Sequence, residues 1–348
     1  VKRALKSVLL ELAVALAAVA LSLVAGSLLI VLRGHSPFEV YGVMFQEALG
    51  RSSGLAQVTF KATTLIFTGV AAAFAFRASM FNIGAEGQLY LGAFAAAVSG
   101  LALPKDIPAF VAIPLLSAIA FLGGALAALI PAILKATRGT HEVINTMMMN
   151  FIVISVVNWL LHWVRESPEV VRTAQIPDAW RLPIFVRGFD GNAAIVLACA
   201  ACAFVFYLLE RTRTGYELRA VGFNPKAAEF GSVAVPRRMM LSLIVSGGLA
   251  GLGGTNFVLG SPGYFEQHFA PFQGYLGIAV ALLARNHPLG VIPASFLFAV
   301  MSEGSQSIQE FVPKELGGIL QAIIVVFVIV SAKLLERALA VRDRARGG

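Results

Sequence analysis

RTRTGYELRAVGFNPKAAEFGSVAVPRR, residues Arg211 to Arg238, is a polar island between two long apolar segments. Its centre spells a helix of little more than one turn. Asn224 suits the cap, Pro225 the first helical position, Lys226 to Phe230 continue the turn, and Gly231 closes it. Ala227, Ala228 and Phe230 are expected to form a small apolar face, with Lys226 and Glu229 on the wet side. Helix nucleation costs more than one or two hydrogen bonds return, so a helix this short needs a surface to pack against. That surface is either the rest of the chain or another protein, and a solvated connecting loop is the plainer alternative.

The flanking segments set the class. Of 348 residues, 58% are hydrophobic and 13% charged, and mean hydropathy is +0.80. That leaves too little polar surface to clothe a soluble globule of this length, so the chain reads as a membrane protein. Stretches able to cross about 30 Å of hydrocarbon at roughly 20 residues each lie near 8–32, 59–77, 84–103, 107–134, 143–164, 193–210, 238–260, 273–285, 289–307 and 317–335. The eighth and ninth are short and interrupted by Asn286, His287, Pro288 and Gly290, as half-helices or a tilted pair would be. The stretch 8–32 exceeds a signal-peptide core and reads as a first span. The expected fold is all-α: a polytopic integral membrane protein with a single transmembrane domain over 1–348, about ten transmembrane helices and a large loop at 165–192.

Net charge of +8 and an isoelectric point near 9.8 would suit nucleic acid if the basic residues shared one patch. They fall between apolar runs instead, which marks topology, and no nucleic-acid partner is expected. Ten spans put both termini on one side. With the amino terminus inside, the cytoplasmic segments hold 18 of the 27 Lys and Arg, so both termini and the 211–238 loop are placed in the cytoplasm, and 165–192 outside. Trp159, Trp163 and Trp180 bracket the beginning and middle of that outer loop as an interfacial belt would. Its four arginines are offset by Glu166, Glu169, Asp178 and Asp190, and it suits either a docking surface for an external protein or a simple lid.

Polar residues at membrane depth are the informative exceptions. FNIGAEGQLYLG, 81–92, sets Asn82, Glu86 and Gln88 among glycines. Glu86 there is either part of a wet solute path or a helix cap. In GTHEVINTMMMNFIVISVVNW, 139–159, Glu142, Asn145 or Thr146, and Met149 or Asn150 recur at spacings of three and four, with Asn158 two turns beyond Asn150. Such a face should point inward, toward another helix or a solute path, with Met147 to Met149 as adaptable walls. SGGLAGLGG, 246–254, carries Gly247, Gly251 and Gly254 at spacings that allow close helix packing.

Enzyme chemistry finds little footing. No Gly-Lys dipeptide occurs, so a phosphate-binding G-x-x-x-x-G-K-[ST] loop is absent. The histidines His35, His141, His162, His268 and His287 lack metal spacing, and no metal site is expected. Cys199 and Cys202 form a C-x-x-C inside an apolar run, where helix packing is the expected role.

Five stretches in order carry a resemblance: FNIGAEGQLYLGA at 81–93, GTHEVINTMMMN at 139–150, RAVGFNPKAAEFG at 219–231, SGGLAGLGG at 246–254 and GIAVALLARNHPLG at 277–290. The chain resembles permeases of bacterial ABC importers, in the branched-chain amino-acid and simple-sugar family, most closely its nucleoside-type branch. The resemblance covers nearly everything beyond the first span. It implies a multi-pass subunit of the bacterial cytoplasmic (inner) membrane, embedded in membrane lipid. It also implies a second permease, usually a different chain, two ABC ATPase subunits, an external substrate-binding protein and a small polar solute. No cofactor is expected on this chain, ATP and Mg belonging to the ATPase. The segment 219–231 would correspond to the coupling helix, with Asn224, Pro225, Lys226, Ala228, Glu229 and Gly231 docking on the ATPase. The chain departs from the family at Phe223, where an acidic residue is common, and at His141, where an asparagine is. Asn82, Glu86, Gln88, Asn145, Thr146 and Asn150 are the expected path residues, in an alternating-access cycle transmitted through the glycine-packed helix. Nucleosides lead the expected substrates, ahead of simple sugars, riboflavin-like solutes and branched-chain amino acids, with Phe81, Phe151 and Trp159 available for stacking. Rival classes are an ion-coupled secondary transporter using Glu86, and a structural membrane scaffold.

Overall fold

A computed structural model describes residues 20–28 and 30–311, with residue 315, residues 318–320, 322, 323, 326 and 327. Most of the expected span 317–335, and residues 8–19 of the first, lie outside the described residues. The chain divides into two compact units, one from the described residues of Val1–Leu55 and Leu297–Gly348, the other Ala56–Phe296.

In the first unit, α1 (Ala20–Leu32) and α2 (Pro37–Leu49) are bent 117° apart. The reversal uses Gly34 at φ 82°, and Pro37 starts α2 where a missing N–H is no loss. The Tyr41 hydroxyl donates to the Leu23 carbonyl at 2.7 Å. Glu39, Gln46 and Glu47 interrupt the apolar pattern of α2, which is why a count of apolar runs passes over it.

The second unit contains most of α3 (Ser52–Arg77), then α4 (Ala85–Ala102), α5 (Ala109–Arg138) and α6 (Glu142–Val164). A hairpin of β1 (Arg165–Ser167) and β2 (Val170–Thr173) follows. Then come α7 (Ala194–Arg211), α8 (Arg213–Phe223), α9 (Pro225–Phe230), α10 (Val235–Leu252), α11 (Gln273–Leu283) and α12 (Val291–Ser307), which runs on into the first unit. The fold is helical as expected, the hairpin apart.

Among the described residues, six helices are long and apolar enough to cross a membrane, or seven with α1 and α2 taken as one span. This is fewer than the ten stretches read from the sequence. Glu86 and Gln88 dilute the first turn of α4. At 11 residues, α11 is about 16 Å long and too short to cross alone. The expected break between the eighth and ninth stretches is present, as a 3-10 turn at Pro288–Gly290.

Two expectations are corrected. Trp180 is no interfacial residue: its side chain is fully buried, and Nε1–H donates to the Ile107 carbonyl at 2.8 Å. Trp159 and Trp163 do face outward, ring centroids 6.2 Å apart. Met147 and Met148 are also exposed on α6, beside Phe151 and Ile152, rather than lining an interior wall; only Met149 packs on the core.

The core is built around α4, α5 and α10, with α5 and α10 the most extensive pairing. Glycine makes their approach possible. A Cβ on Gly251 would stand 2.8 Å from Gly124 Cα, and one on Gly254 2.5 Å from Ala93 Cα. Gly247 meets the Gly124 carbonyl at 2.6 Å in the same way. No larger residue fits at those distances, so the three glycines singled out from sequence sit where helix backbones touch.

Candidate functional site

Asn82 precedes α4 and is buried. Its Nδ2 donates to Gln88 Oε1 and to Ser246 Oγ, each at 2.8 Å, while Oδ1 accepts from Gln88 Nε2 at 3.1 Å and from Gly84 N at 2.9 Å. Ser246 passes its own proton to the Ala71 carbonyl at 2.7 Å. Asn82 and Gln88 thus satisfy one another and tie α3, α4 and α10 together, as buried amides must.

Asn150 and Thr146 do the same between α6 and the turn before α4. Asn150 Oδ1 accepts from Gly87 N at 2.9 Å, and Nδ2 donates to the Ile83 carbonyl at 2.8 Å and to the Tyr275 hydroxyl at 3.1 Å. Thr146 Oγ1 accepts from Ile83 N at 3.1 Å and donates to the Glu142 carbonyl at 2.8 Å. Asn145 is apart from this group, bonded to Thr140 Oγ1 at 2.5 Å. Asn158 meets the Tyr90 hydroxyl at 2.9 Å.

Glu86 takes the amino terminus of α11. Its two oxygens accept from Phe272 N and Gly274 N, each at 2.7 Å, so a carboxylate caps the positive end of a neighbouring helix. Phe272 is held in the left-handed region at φ 64°, a conformation that costs free energy for a bulky residue and needs such support. Its ring is exposed.

Glu86, Asn150 and Tyr275 border a cavity of about 230 Å³ whose other walls include Tyr90, Phe151, Ile154, His268 and Phe272. Of the six expected path residues, two line this cavity; Asn82, Gln88 and Thr146 brace its wall, and Asn145 lies elsewhere. Because the Tyr275 hydroxyl accepts from Asn150, its own proton remains available to a ligand. Behind Tyr90 the rings of Phe265, Phe269 and Phe257 pack at centroid distances of 4.5–5.4 Å. Of the rings suggested for stacking, Phe151 borders the cavity, while Phe81 packs on Phe76 at 4.8 Å.

A second polar knot had no sequence signal beyond scattered amides. Asn256 Nδ2 donates to the Phe60 carbonyl and to Thr64 Oγ1, each at 2.9 Å, and Oδ1 accepts from Asn192 Nδ2 at 3.0 Å. Asp190 accepts from Gln57 Nε2 at 3.1 Å and from Ser261 Oγ at 2.5 Å. These bonds anchor the loop 165–192 to α3 and to the π-helical turn Asn256–Gly260.

The polar island is mostly helical. Thr212 caps α8 by accepting from Gly215 N at 3.1 Å, and Leu218 and Val221 bury its inner face. Asn224 caps α9 by accepting from Ala227 N at 3.1 Å, and Pro225 starts it. The small apolar face divides in two: Ala228 turns inward and is buried, while Phe230 is 95% exposed. Asn224, Pro225, Lys226, Glu229 and Gly231 are exposed beside it. Glu217 of α8 accepts from Arg213 Nε at 2.9 Å and pairs with Arg238 of α10. The hydrogen bond from Arg213, then that from Arg238, holds its carboxyl below the ordinary range.

Comparison with known proteins agrees with this architecture. A family model described as branched-chain amino acid transport system / permease component matches residues 54–329. The chain is 35% identical to a guanosine ABC transporter permease of Bacillus subtilis, covering 91% of this chain and 93% of that one. It is 32% identical to a glucose ABC transporter permease of Haloferax volcanii (89% and 85% covered). It is 30% identical to a nucleoside ABC transporter permease of Lactococcus lactis (91% and 90% covered). No solved structure matches the chain.

Proposed function

Since the chain belongs to the branched-chain amino acid transport system permease family, a family of multi-pass membrane proteins, we propose that it is the transmembrane subunit of an ATP-driven nucleoside importer. In this reading it forms one permease domain of about ten spans with both termini in the cytoplasm of a bacterial inner membrane. It works with a second permease, two ATPase subunits that bind ATP and Mg, and an external binding protein.

The observation that carries this reading is α9. A capped single turn is seated on its own chain through Ala228 and offers Phe230, Lys226 and Glu229 outward. A lone turn needs a surface to pack on, and an exposed phenylalanine suits a partner's interface. The chain itself shows no phosphate-binding loop, and in this reading the motive force enters through such a contact. From α9 the backbone continues into α10, and the ion pair of Glu217 with Arg238 ties α8 to α10. The glycine contacts of α10 on α5 and α4 transmit a push without slack, because backbones in contact leave nothing to compress.

The aromatic walls beside Glu86, Asn150 and Tyr275 support a planar solute with hydrogen-bonding edges, and so a nucleoside. The relatives support the same class, two being described for guanosine or nucleosides, and the glucose relative keeps simple sugars as the second reading.

The test is uptake of labelled guanosine into proteoliposomes carrying the chain with its co-purified permease, ATPase and binding protein. Uptake requiring ATP and all subunits is the expected result. Uptake by this chain alone on a proton or sodium gradient, abolished by Glu86→Gln, would replace the proposal with a secondary transporter.

A further inference from the structure

A second cavity, of about 190 Å³, lies where α3 and α8 meet and is bordered by Phe76, Arg77, Arg219, Phe223, Arg285 and Asn286. Its walls are rigid. The Ser79 hydroxyl donates to the Gly222 carbonyl at 2.6 Å, and Arg77 Nε donates to the Asn286 carbonyl at 3.0 Å. Arg77 and Arg219 share a single carboxylate, Glu210: Arg77 stands 4.0 Å from one oxygen and Arg219 pairs with the other. Two guanidiniums on one carboxylate leave a positive charge at the cavity, and Arg285 adds a third guanidinium to its rim. Asn286 has its Oδ1 buried without a hydrogen-bond partner.

The depth of the cavity identifies the ligand. Arg77 is the last residue of α3 and Arg211, beside Glu210, the last of α7, and both helices are long and apolar enough to span a membrane. Two spans ending at one level mark the headgroup layer, where lipid phosphates lie. Guanidinium forks match phosphate oxygens, and the Phe76 and Phe223 rings offer apolar contact to the carbons beside a diester. We infer that this cavity binds the headgroup of an anionic phospholipid, its phosphodiester on Arg77, Arg219 and Arg285. Free phosphate would match the guanidiniums equally well; it is the position of the cavity, level with the ends of two spans, that favours the lipid. Because Arg219 and Phe223 belong to the helix that leads directly into α9, an occupied cavity stiffens the base of that turn.

Native mass spectrometry of the full chain in detergent tests this, with dioctanoyl phosphatidylglycerol, dioctanoyl phosphatidylcholine, dioctanoyl phosphatidic acid and inorganic phosphate as separate probes. Phosphatidylglycerol is expected to bind at one tight site, about tenfold more weakly in Arg219→Gln and in Arg285→Gln, from loss of one charge-assisted hydrogen bond. Phosphatidic acid, also an anionic phospholipid, is expected to bind through the same arginines. Arg187→Gln, in the loop 165–192, should change nothing, and melting temperatures confirm that each variant is folded. Should Arg219→Gln fail to fold, Arg285→Gln, on an exposed side chain, gives the same reading. Equal phosphatidylglycerol binding in wild type and Arg285→Gln overturns the inference. Inorganic phosphate binding as tightly through the same residues also overturns it, in favour of a free-anion site, and so does equal retention of phosphatidylcholine.

Discussion

Phe230→Ala separates docking from folding. In the free chain the ring is 95% exposed, so its removal should change stability by no more than about 0.5 kcal/mol. On a partner surface the same ring, fully buried, would contribute about 1.5–3 kcal/mol. At 1.4 kcal/mol per decade this is a roughly ten- to hundredfold weaker ATPase complex. The measurement is the affinity of the purified ATPase for the chain held in nanodiscs, beside the melting temperature of the chain alone. Phe110→Ala, on a ring 78% exposed at the start of α5, serves as the control. Ala228→Arg would not serve, since Ala228 is buried and an arginine there disturbs the fold before any partner is met. An unchanged affinity together with full guanosine uptake would refute the docking role of α9.

Gly251→Val places branches where even a Cβ stands 2.8 Å from Gly124 Cα, and overpacking of this kind costs about 1–3 kcal/mol or more; a lower melting temperature with loss of transport is expected. Glu86→Gln leaves one acceptor oxygen for two N–H donors now bonded at 2.7 Å, a loss of about 1–3 kcal/mol. It should loosen Phe272 and weaken solute binding, as read by calorimetry, more than it lowers the melting temperature. The Glu217 carboxyl is held below its ordinary value of 4.5 in the folded chain. Its contribution is therefore present above that value and lost as pH falls through the lower folded one. Hydrogen-exchange protection of α8, relative to the intrinsic rate at each pH, should fall over that acid range in the wild type and not in Glu217→Gln; a pH response unaltered by the substitution would remove the ion pairs from the account.

Some of this architecture was readable locally. Asn224, Pro225 and Gly231 announce α9 because capping, a preset φ and helix termination act over a few residues, and Asn224 does accept from Ala227 N as such a cap should. The spacing of Gly247, Gly251 and Gly254 announces a close helix contact without naming the partner, which proves to be α5 and α4. By contrast, α8 carries little apolar pattern and is held through buried Leu218 and Val221 and by pairing of Glu217 with Arg238. No local rule predicts that.

Composition alone required a membrane, since a chain this apolar has too few polar groups to face water on every side, and hydropathy together with capping chemistry marked the spans and the projecting turn. Which buried polar groups border a cavity and which only brace the frame was decided by folding. Asn82 meets Ser246 across 164 positions, and Glu86 meets Gly274 across 188. A polar side chain inside an apolar segment declares that it needs a partner, and only the packing of distant helices supplies one or leaves it facing a cavity.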